Sequence, residues 1–217
     1  KQENLERFPR DFFEACIYDE AHHTSANSYK KIMEYLTPEF TLGMTATPDK
    51  RDDNMEGRNI YEIFDHNIAY EIRLQQAMDE DLLCPFHYFG ITDLAVISDE
   101  GNSKEEQLEN FRYLTSDERV KYVMKQAAYF GYSGDRVKGL IFCSRIDEAR
   151  ELSKKFNEQG LRTIALSGAD SDEIRAEAIE RLTMDVQSEE DDYLDYIITV
   201  DIFSEGVDVP EINQVIM

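Results

Sequence analysis

The chain has 217 residues, a hydrophobic content of 41% and a formal net charge of −23. A chain of this length can build one large or two small hydrophobic cores. The acidic balance argues against a protein that wraps nucleic acid with a broad basic face. No apolar run is long enough to cross a bilayer and no charged-then-apolar leader opens the chain, so we expect a soluble, cytoplasmic protein without a membrane partner.

A short apolar strand ends at two adjacent carboxylates. The run Ala15–Tyr18 is followed directly by Asp19 and Glu20 and then by Ala-His-His. This pattern predicts a strand that is buried on both faces of a parallel sheet and carries the acids at its carboxyl tip. Ligands of open α/β sheets bind at that edge. Two adjacent carboxylates can divide the work there, one holding Mg²⁺ and the other activating water.

A second apolar strand follows and ends in Thr45-Ala46-Thr47-Pro48. Between the two strands, apolar residues recur at the spacing of one helical face: Tyr29, Ile32, Met33 and Leu36. Strand, helix and strand predict a βαβ unit with both polar tips at one edge of the sheet. Further along, residues 68–70 predict a short strand and residues 72–78 a helix, and we place a domain boundary near Thr92.

Residues 93–131 have the pattern of a helical connector. Ser103 with Glu106, and Thr115 with Glu118, have the spacing of capping boxes, so two helices are predicted to start there. The second helix has an apolar face, which favours packing on one domain, although an insertion that contacts DNA or a partner has a similar pattern. The three cysteines, Cys16, Cys84 and Cys143, are far apart and lie in or beside apolar runs, which predicts reduced core residues.

Residues 132–217 alternate between strand and helix patterns. Strands are predicted at 137–143, 163–166 and 196–200, with helices at 147–158 and 171–183 between them. Ala149, Leu152 and Phe156 of the first helix are predicted to face inward, as are Ile174, Ala178 and Leu182 of the second. The alternation predicts a parallel sheet with right-handed crossovers. The predicted fold class is therefore α/β, with parallel-sheet domains at 1–92 and 132–217 joined by the connector.

Several of these motifs resemble those of superfamily 2 helicases. The DEAH run at 19–22 and the TATP run at 45–48 resemble motifs II and III, and Asp-Glu-Ala-His-His with a following Ser-Tyr is most similar to the bacterial branch related to type III restriction-enzyme subunits. Residues 140–144 resemble motif IV, and residues 199–210 resemble motif V. The resemblance implies two RecA-like three-layer domains that bind ATP between them.

Two motifs of the resembled family are not found in the sequence. Gly134 and Gly139 have the spacing of a phosphate-binding loop, but Leu140 stands where that loop requires Lys. Nothing resembles motif VI with its arginine finger, which typically contributes roughly 10³- to 10⁵-fold in rate. We therefore expect the chain to be a fragment with no useful ATPase activity by itself.

The resemblance also leads us to expect roles for individual residues. In the nucleotide site, Asp19 would bind Mg²⁺ through water, Glu20 would activate the attacking water, and His22 would link the site to motif III. Thr45 and Thr47 would couple hydrolysis to domain movement, or simply cap a turn. Gly206 and Asp208 would contact the nucleotide. The residues expected at the nucleic-acid backbone are Thr199, Ser144, Ser167 and Gly168, with ordinary loop capping as the alternative for the last three.

The leading hypothesis is a core fragment of an ATP-dependent DNA helicase or translocase. Its cofactors would be ATP and Mg²⁺, and its partners would be DNA, with RNA as a less favoured substrate, and subunits of a restriction or repair complex. A second hypothesis treats Asp19, Glu20, His22 and His23 as a hydrolytic metal site, although adjacent strand residues point in alternate directions. A third is a catalytically silent, helicase-like interaction module.

Overall fold

The structure is a computed structural model that describes residues 5–48, 59–93, 104–188, 191–203 and 209–217. For residues 25, 27 and 104–108 it describes the backbone alone. The chain divides into two compact units, residues 1–89 and residues 90–217.

The first unit is built on a parallel pair of strands. Its elements are β1 (Ala15–Tyr18), a 3₁₀ helix (Ala21–Ser25), α1 (Asn27–Tyr35), β2 (Phe40–Gly43), α2 (Ile60–Ile63) and α3 (Leu74–Asp79). The register of the two strands runs from Ala15 beside Phe40 to Tyr18 beside Gly43. The predicted strand, helix and strand therefore form a βαβ unit, and both strands end at the same edge.

The burial predicted for β1 is only half right. Tyr18 is buried, whereas Ile17 is 63% exposed and Phe40 of the neighbouring strand is 55% exposed. Side chains of a strand alternate between the two faces of its sheet. The described elements of this unit cover the face that carries Tyr18 and leave the face that carries Ile17 exposed. The apolar run of β1 therefore did not predict correctly how many of its faces are buried.

Two further predictions in the first unit are wrong. Residues 68–70 form no strand, and Ile68 and Tyr70 are 57% and 73% exposed. Cys84 is exposed, although Cys16 and Cys143 are partly buried and all three thiols are free. In both cases the local apolar pattern did not report the exposure of these side chains.

The second unit begins with two helices, α4 (Lys104–Leu114) and α5 (Asp117–Phe130). The N-cap of α5 is Ser116, whose hydroxyl accepts the N–H of Arg119. Thr115, the predicted cap, instead donates its hydroxyl to the carbonyl of Phe111 in the preceding helix. The other predicted cap, Ser103, lies outside the described residues. Val120 of α5 is 2% exposed and belongs to the core of this unit.

A four-stranded parallel sheet forms the centre of the second unit. Along the chain come β3 (Gly139–Phe142), α6 (Ile146–Glu158), β4 (Thr163–Leu166), α7 (Asp172–Thr183), β5 (Tyr196–Thr199) and β6 (Gln214–Ile216). The strand order is β4-β5-β3-β6, and every neighbouring pair is parallel. The strands β3, β4 and β5 and both helices lie within about two residues of the predicted ranges, and β6 is a fourth strand for which no range was predicted.

Helices cover both faces of this sheet, which gives three layers. Ile141 and Ile198 pack with Phe156 of α6 and Val120 of α5. On the other face, the residues just before these two in β3 and β5 pack with α7: Leu140, Ile197, Ala178 and Leu182. Burying a large aliphatic side chain stabilises a fold by about 1.5–3 kcal/mol, so these two clusters hold the layers together.

One residue of the predicted inward faces is not inside. The three inward residues of α6 are buried as predicted, but Ile174 of α7 is 44% exposed. It lies in the first turn of α7, three residues after the N-cap Ser171. The parallel α/β class predicted from sequence is confirmed. Among the described residues, no helix is both long and apolar enough to cross a membrane.

Candidate functional site

The carboxyl ends of β1 and β2 are tied together by two backbone hydrogen bonds. The N–H of Met44 donates to the carbonyl of Tyr18 at 2.9 Å, and the N–H of Ala21 donates to the carbonyl of Met44 at 2.8 Å. The DEAH segment and the TATP segment therefore lie side by side at one edge of the parallel pair, which is where ligands of α/β sheets bind.

The two acids sit in a strained turn at this edge. Glu20 has φ 46° and ψ 50°, a left-handed conformation that costs a residue with a side chain about 1–3 kcal/mol. Asp19 is exposed, and its Oδ1 accepts the N–H of Glu20 at 2.9 Å. The turn places both carboxylates at the end of β1 instead of letting the strand continue, and such strain is found most often at functional sites.

His22 links the acids to the threonines of the TATP segment. Its side chain is only 4% exposed, and its Nδ1 lies 3.0 Å from Thr45 Oγ1, 3.3 Å from Thr47 Oγ1 and 3.2 Å from Glu20 Oε2. Because a carboxylate only accepts hydrogen bonds, a proton on Nδ1 suits the contact with Glu20. The Thr45 hydroxyl also accepts the N–H of Thr47 at 3.1 Å, which closes the network.

The other nitrogen of the His22 ring has no partner in the part of the chain that the structure describes. Nε2 is buried, and the His23 ring lies beside the His22 ring with 4.0 Å between centroids. Buried polar atoms without a hydrogen bond are rare and call for an explanation. A second group that approaches Nε2 would complete the network.

Asp19 and Glu20 fit a magnesium ion that arrives with a nucleotide. Mg²⁺ keeps several waters and is usually held by one or two carboxylates together with substrate phosphates. Across the described ranges there is no group of three His, Cys, Asp or Glu side chains that could hold a metal ion unaided. The Nδ1 of His22 is also already in contact with Thr45 and Glu20. These observations disfavour the alternative of a self-contained hydrolytic metal site.

In the second unit, three strands end at a common edge that carries the predicted nucleic-acid contacts. Phe142 of β3 and Leu166 of β4 both lie beside Thr199 of β5 in the register. The Ser144 turn and the Ser167–Gly168 turn follow the first two strands directly. The parallel register therefore brings residues from three separate parts of the sequence to one edge.

These residues differ in what they expose at that edge. Ser144 and Gly168 are exposed, whereas Thr199 is completely buried and its hydroxyl has no partner among the described residues. Ser167 is 3% exposed, and Asp170 Oδ2 accepts both its N–H (2.7 Å) and its hydroxyl (2.9 Å). Of these four residues, Ser144 and Gly168 are therefore the ones that a ligand can reach. Gly206 and Asp208 lie outside the described residues.

Two residues that the sequence did not suggest fix the Ser167–Gly168 turn. The hydrogen bonds from Ser167 lower the pKa of the Asp170 carboxyl, with smaller contributions from the charges of Arg150 and Arg175. The guanidinium of Arg175 donates to the carbonyl of Gly168 at 3.0 Å. The spacing of Ser167 and Asp170 is a capping signal in the sequence. The contact of Arg175 depends on how α7 packs and has no such signal.

The chain matches two protein-family models. Residues 1–50 match the res subunit of type III restriction enzymes, and residues 118–217 match the helicase conserved C-terminal domain. These ranges contain the two edges described above, the first at the ends of β1 and β2 and the second at the ends of β3, β4 and β5.

Similar proteins include helicases from yeasts and a bacterium. A putative mitochondrial ATP-dependent helicase of Schizosaccharomyces pombe is 22% identical, and the match covers 98% of this chain and 34% of the relative. A putative ATP-dependent helicase of Saccharomyces cerevisiae is also 22% identical, with 98% and 30% covered. An ATP-dependent RNA helicase of Haemophilus influenzae is 23% identical, with 64% and 30% covered.

The chain thus spans about a third of the length of these relatives. The two family models match opposite ends of the chain, and the two yeast proteins match nearly all of it. Together, the family models and the relatives support the predicted similarity of this chain to superfamily 2 helicases.

Proposed function

We propose that this chain forms the core of a DEAH-type, ATP-dependent DNA helicase or translocase of the branch that resembles type III restriction subunits. The observation that carries the proposal is the contact of His22 Nδ1 with Glu20, Thr45 and Thr47. This contact connects the acidic pair Asp19 and Glu20, which suits nucleotide chemistry, with the segment that follows β2. An arrangement of this kind lets a change at the nucleotide reach other parts of the fold.

Hydrolysis is assigned to the two acids. In this proposal Asp19 would hold Mg²⁺, which when bound would supply positive charge to the phosphates. Glu20 orients the attacking water and accepts its proton, a role that contributes about 10²- to 10⁴-fold in rate. The left-handed turn supports these roles because it keeps both carboxylates beyond the end of β1.

Coupling is assigned to His22, Thr45 and Thr47. In this proposal, a movement of Glu20 during hydrolysis breaks its contact with Nδ1 of His22, which leaves the two threonine hydroxyls as the partners of that nitrogen. The threonine hydroxyls, which share that nitrogen, then rearrange and shift the end of β2. Gly206 and Asp208 are proposed as nucleotide contacts on the basis of the motif V resemblance alone.

Nucleic-acid binding is assigned to the edge of the sheet in the second unit. Ser144 and the backbone of Gly168 are the exposed groups, and both can bind phosphate without a positive charge. This mode of binding suits a protein with a net charge of −23, because main-chain amides and hydroxyls make the contacts. Thr199 and Ser167 are buried, so an indirect role in binding is proposed for both.

DNA is proposed as the substrate because the first family model is that of a restriction-enzyme subunit. RNA is the alternative, since one relative is named an RNA helicase. The name of the first family model also motivates restriction subunits as partners, whereas repair subunits are proposed from the helicase resemblance alone. The 2′-hydroxyl is what allows a protein to distinguish the two nucleic acids, so their effects on ATP turnover should differ.

The test is ATP hydrolysis by the full-length protein with single-stranded DNA, duplex DNA or RNA of matched length. Stimulation by DNA at low concentration, with RNA much weaker, is the expected result. Stimulation by RNA alone would favour the alternative substrate, and no hydrolysis with any of them would contradict the motor function. Residues 1–217 contain no Gly-x₄-Gly-Lys-Ser/Thr pattern, and we propose that they do not turn over ATP on their own.

A further inference from the structure

Strand β4 lies at the end of the sheet in the second unit. The strand order is β4-β5-β3-β6, so β4 pairs with β5 on one side, and among the described residues no strand pairs with its other side. An open strand edge presents backbone N–H and C=O groups that can pair with a strand of another molecule. The groups that occupy this edge therefore affect whether copies of the protein associate.

Three residues direct their backbone groups to the open side of β4. The carbonyl of Arg162 accepts the N–H of Asp195 at 2.7 Å, which places the Arg162 carbonyl on the side of β5. Backbone groups of successive residues in a strand point to opposite sides, as the pairing pattern of sheets requires. Thr163, Ala165 and Ser167 therefore direct their N–H groups away from β5.

The side chain of Asn157, near the end of α6, covers the first of these residues. Its Oδ1 accepts the N–H of Thr163 at 2.7 Å, and its Nδ2 donates to the carbonyl of Thr163 at 3.1 Å. Two residues of neighbouring antiparallel strands exchange the same pair of hydrogen bonds. The Thr163 hydroxyl also lies 3.1 Å from Asn157 Oδ1 and 2.9 Å from Ser153 Oγ. The amide of Asn157 thus takes the place of a neighbouring strand.

Asp170 covers the third residue in a similar way. Its Oδ2 accepts the N–H of Ser167 at 2.7 Å, and its own N–H donates to the carbonyl of Ser167 at 3.1 Å. Ala165 lies between the two covered residues and lines a groove beside α6. The charged side chains of α6 that line this groove are Arg150, Lys154 and Glu158. Among the described residues, the uncovered part of the edge is therefore Ala165 alone.

A second copy of the chain is the molecule whose approach this arrangement opposes. Two β4 strands can pair antiparallel about a twofold axis, and with Ala165 at the centre, Thr163 of one copy lies opposite Ser167 of the other. Each copy would then have to exchange hydrogen bonds at the positions that Asn157 and Asp170 already occupy. Both ends of the pairing are therefore blocked by side chains of the same molecule.

We propose that Asn157 and Asp170 close the edge of β4 to a second copy of this chain by occupying the backbone groups of Thr163 and Ser167. Natural sheets protect their edges against pairing with other molecules, and here two polar side chains provide the protection. The inference does not depend on the proposed function, because it concerns association of the chain with itself.

The first test uses the unsubstituted full-length protein and measures amide hydrogen exchange along β4. We expect the amides of Thr163 and Ser167 to exchange at least about tenfold more slowly than that of Ala165, because each has a hydrogen-bond acceptor. Exchange at Thr163 as fast as at Ala165 would contradict the role of Asn157. Equally slow exchange at all three positions would mean that another group covers the edge, which also contradicts the proposal.

The second test measures self-association of full-length variants by analytical ultracentrifugation. N157A/D170A removes both covering side chains, and Q159A is the matched control because it removes an exposed amide two residues from Asn157. A third variant adds A165P to N157A/D170A. Proline has no N–H and is tolerated in edge strands, so it removes the central pairing group without exposing new surface. Circular dichroism identifies a temperature at which all variants are folded.

We expect N157A/D170A to dimerise at concentrations at least about tenfold below those at which the unsubstituted protein or Q159A associates, since about 1.4 kcal/mol corresponds to a tenfold change in affinity. Addition of A165P should return the protein to the behaviour of Q159A. Equal association of N157A/D170A and Q159A would overturn the proposal. Association of N157A/D170A that persists with A165P would also overturn it, because the copies would then meet at a surface other than the edge of β4.

Discussion

His22 and Thr45 are 23 positions apart in the sequence, and their side chains meet at 3.0 Å between Nδ1 and Oγ1. The contact exists because β1 and β2 are parallel and in register, so that the segments after the two strands emerge together. A histidine after one strand and a threonine after the next thereby become parts of one hydrogen-bonded network that includes Glu20.

The first prediction concerns this contact. T45V keeps the size of the side chain and removes the hydroxyl that touches His22, so ATP turnover by the full-length protein should fall by about 3- to 10-fold. ATP affinity should change little because Thr45 is not assigned to nucleotide binding. T41V is the matched control, since Thr41 is exposed on β2. Equal turnover in the two variants, measured under saturating ATP, would exclude a coupling role for the hydroxyl.

Two glycines at opposite ends of strands are predicted to respond differently to alanine. A Cβ on Gly139 would lie 2.3 Å from the Tyr196 ring and 3.2 Å from the carbonyl of Gln214, so G139A should destabilise the protein by about 1–3 kcal/mol. A Cβ on Gly168 would meet only Ile202, at 3.9 Å. G168A should therefore leave the unfolding free energy unchanged while it weakens nucleic-acid binding.

Urea unfolding and an oligonucleotide titration measure these two effects. The added methyl group of G168A lies where the backbone would approach phosphate, which is the reason for the expected loss of affinity. Full affinity in G168A would mean that the Gly168 turn does not contact nucleic acid. A stable G139A variant would mean that the Tyr196 ring can move aside at no cost.

Arg136 is predicted to be essential for the stability of the second unit. Its guanidinium donates to four carbonyls: those of Leu182 and Met184 at the end of α7, of Leu194 before β5 and of the neighbouring Val137 before β3. Lysine cannot reproduce this planar set of donors, so R136K should cost about 2–4 kcal/mol. The control R150K changes an exposed arginine of α6 and should have little effect.

Thermal unfolding is a suitable measurement for R136K. For a protein of this size, each 1 kcal/mol lowers the melting temperature by about 2–4 °C. A melting temperature of R136K within about 2 °C of the R150K value would contradict the assigned role.

The three thiols are predicted to differ in reactivity. Burial, with a smaller contribution from the Glu148 charge, raises the pKa of the Cys143 thiol to about 12, so almost none of it is thiolate near neutral pH. Cys84 is exposed. Iodoacetamide at about pH 7.5 should therefore modify Cys84 well before Cys143 in the native protein. Peptide mapping by mass spectrometry gives the order, and early modification of Cys143 would contradict its burial.

Much of the fold could be predicted from the sequence, because helical spacing and short apolar runs are local signals. The helical spacing of Ala149, Leu152 and Phe156 correctly gave the inner face of α6, and the short apolar runs gave the strands of the second unit. The exposure of Ile17 and Ile174 could not be predicted from the sequence, because it depends on which other elements cover each face of a strand or helix. The shift of the α5 cap from Thr115 to Ser116 likewise depends on the end of the preceding helix.

Part of the candidate site could be predicted from the sequence. The DEAH and TATP segments could be placed at one edge from their positions after two strands, but the shared contacts of His22 Nδ1 require side-chain geometry. Burial of the Thr199 and Ser167 hydroxyls could not be foreseen, since polar residues after strands are usually exposed.

The decisive experiment for the proposed motor chemistry is the E20Q substitution in the full-length protein, with E34Q on the exposed side of α1 as the control. Equilibrium ATP binding and DNA-stimulated hydrolysis are measured on the same preparations. We expect E20Q to bind ATP with nearly unchanged affinity and to hydrolyse it about 10²- to 10⁴-fold more slowly, while E34Q keeps both properties. Hydrolysis by E20Q within about tenfold of the unsubstituted rate would contradict the assignment of Glu20 and the proposed motor chemistry.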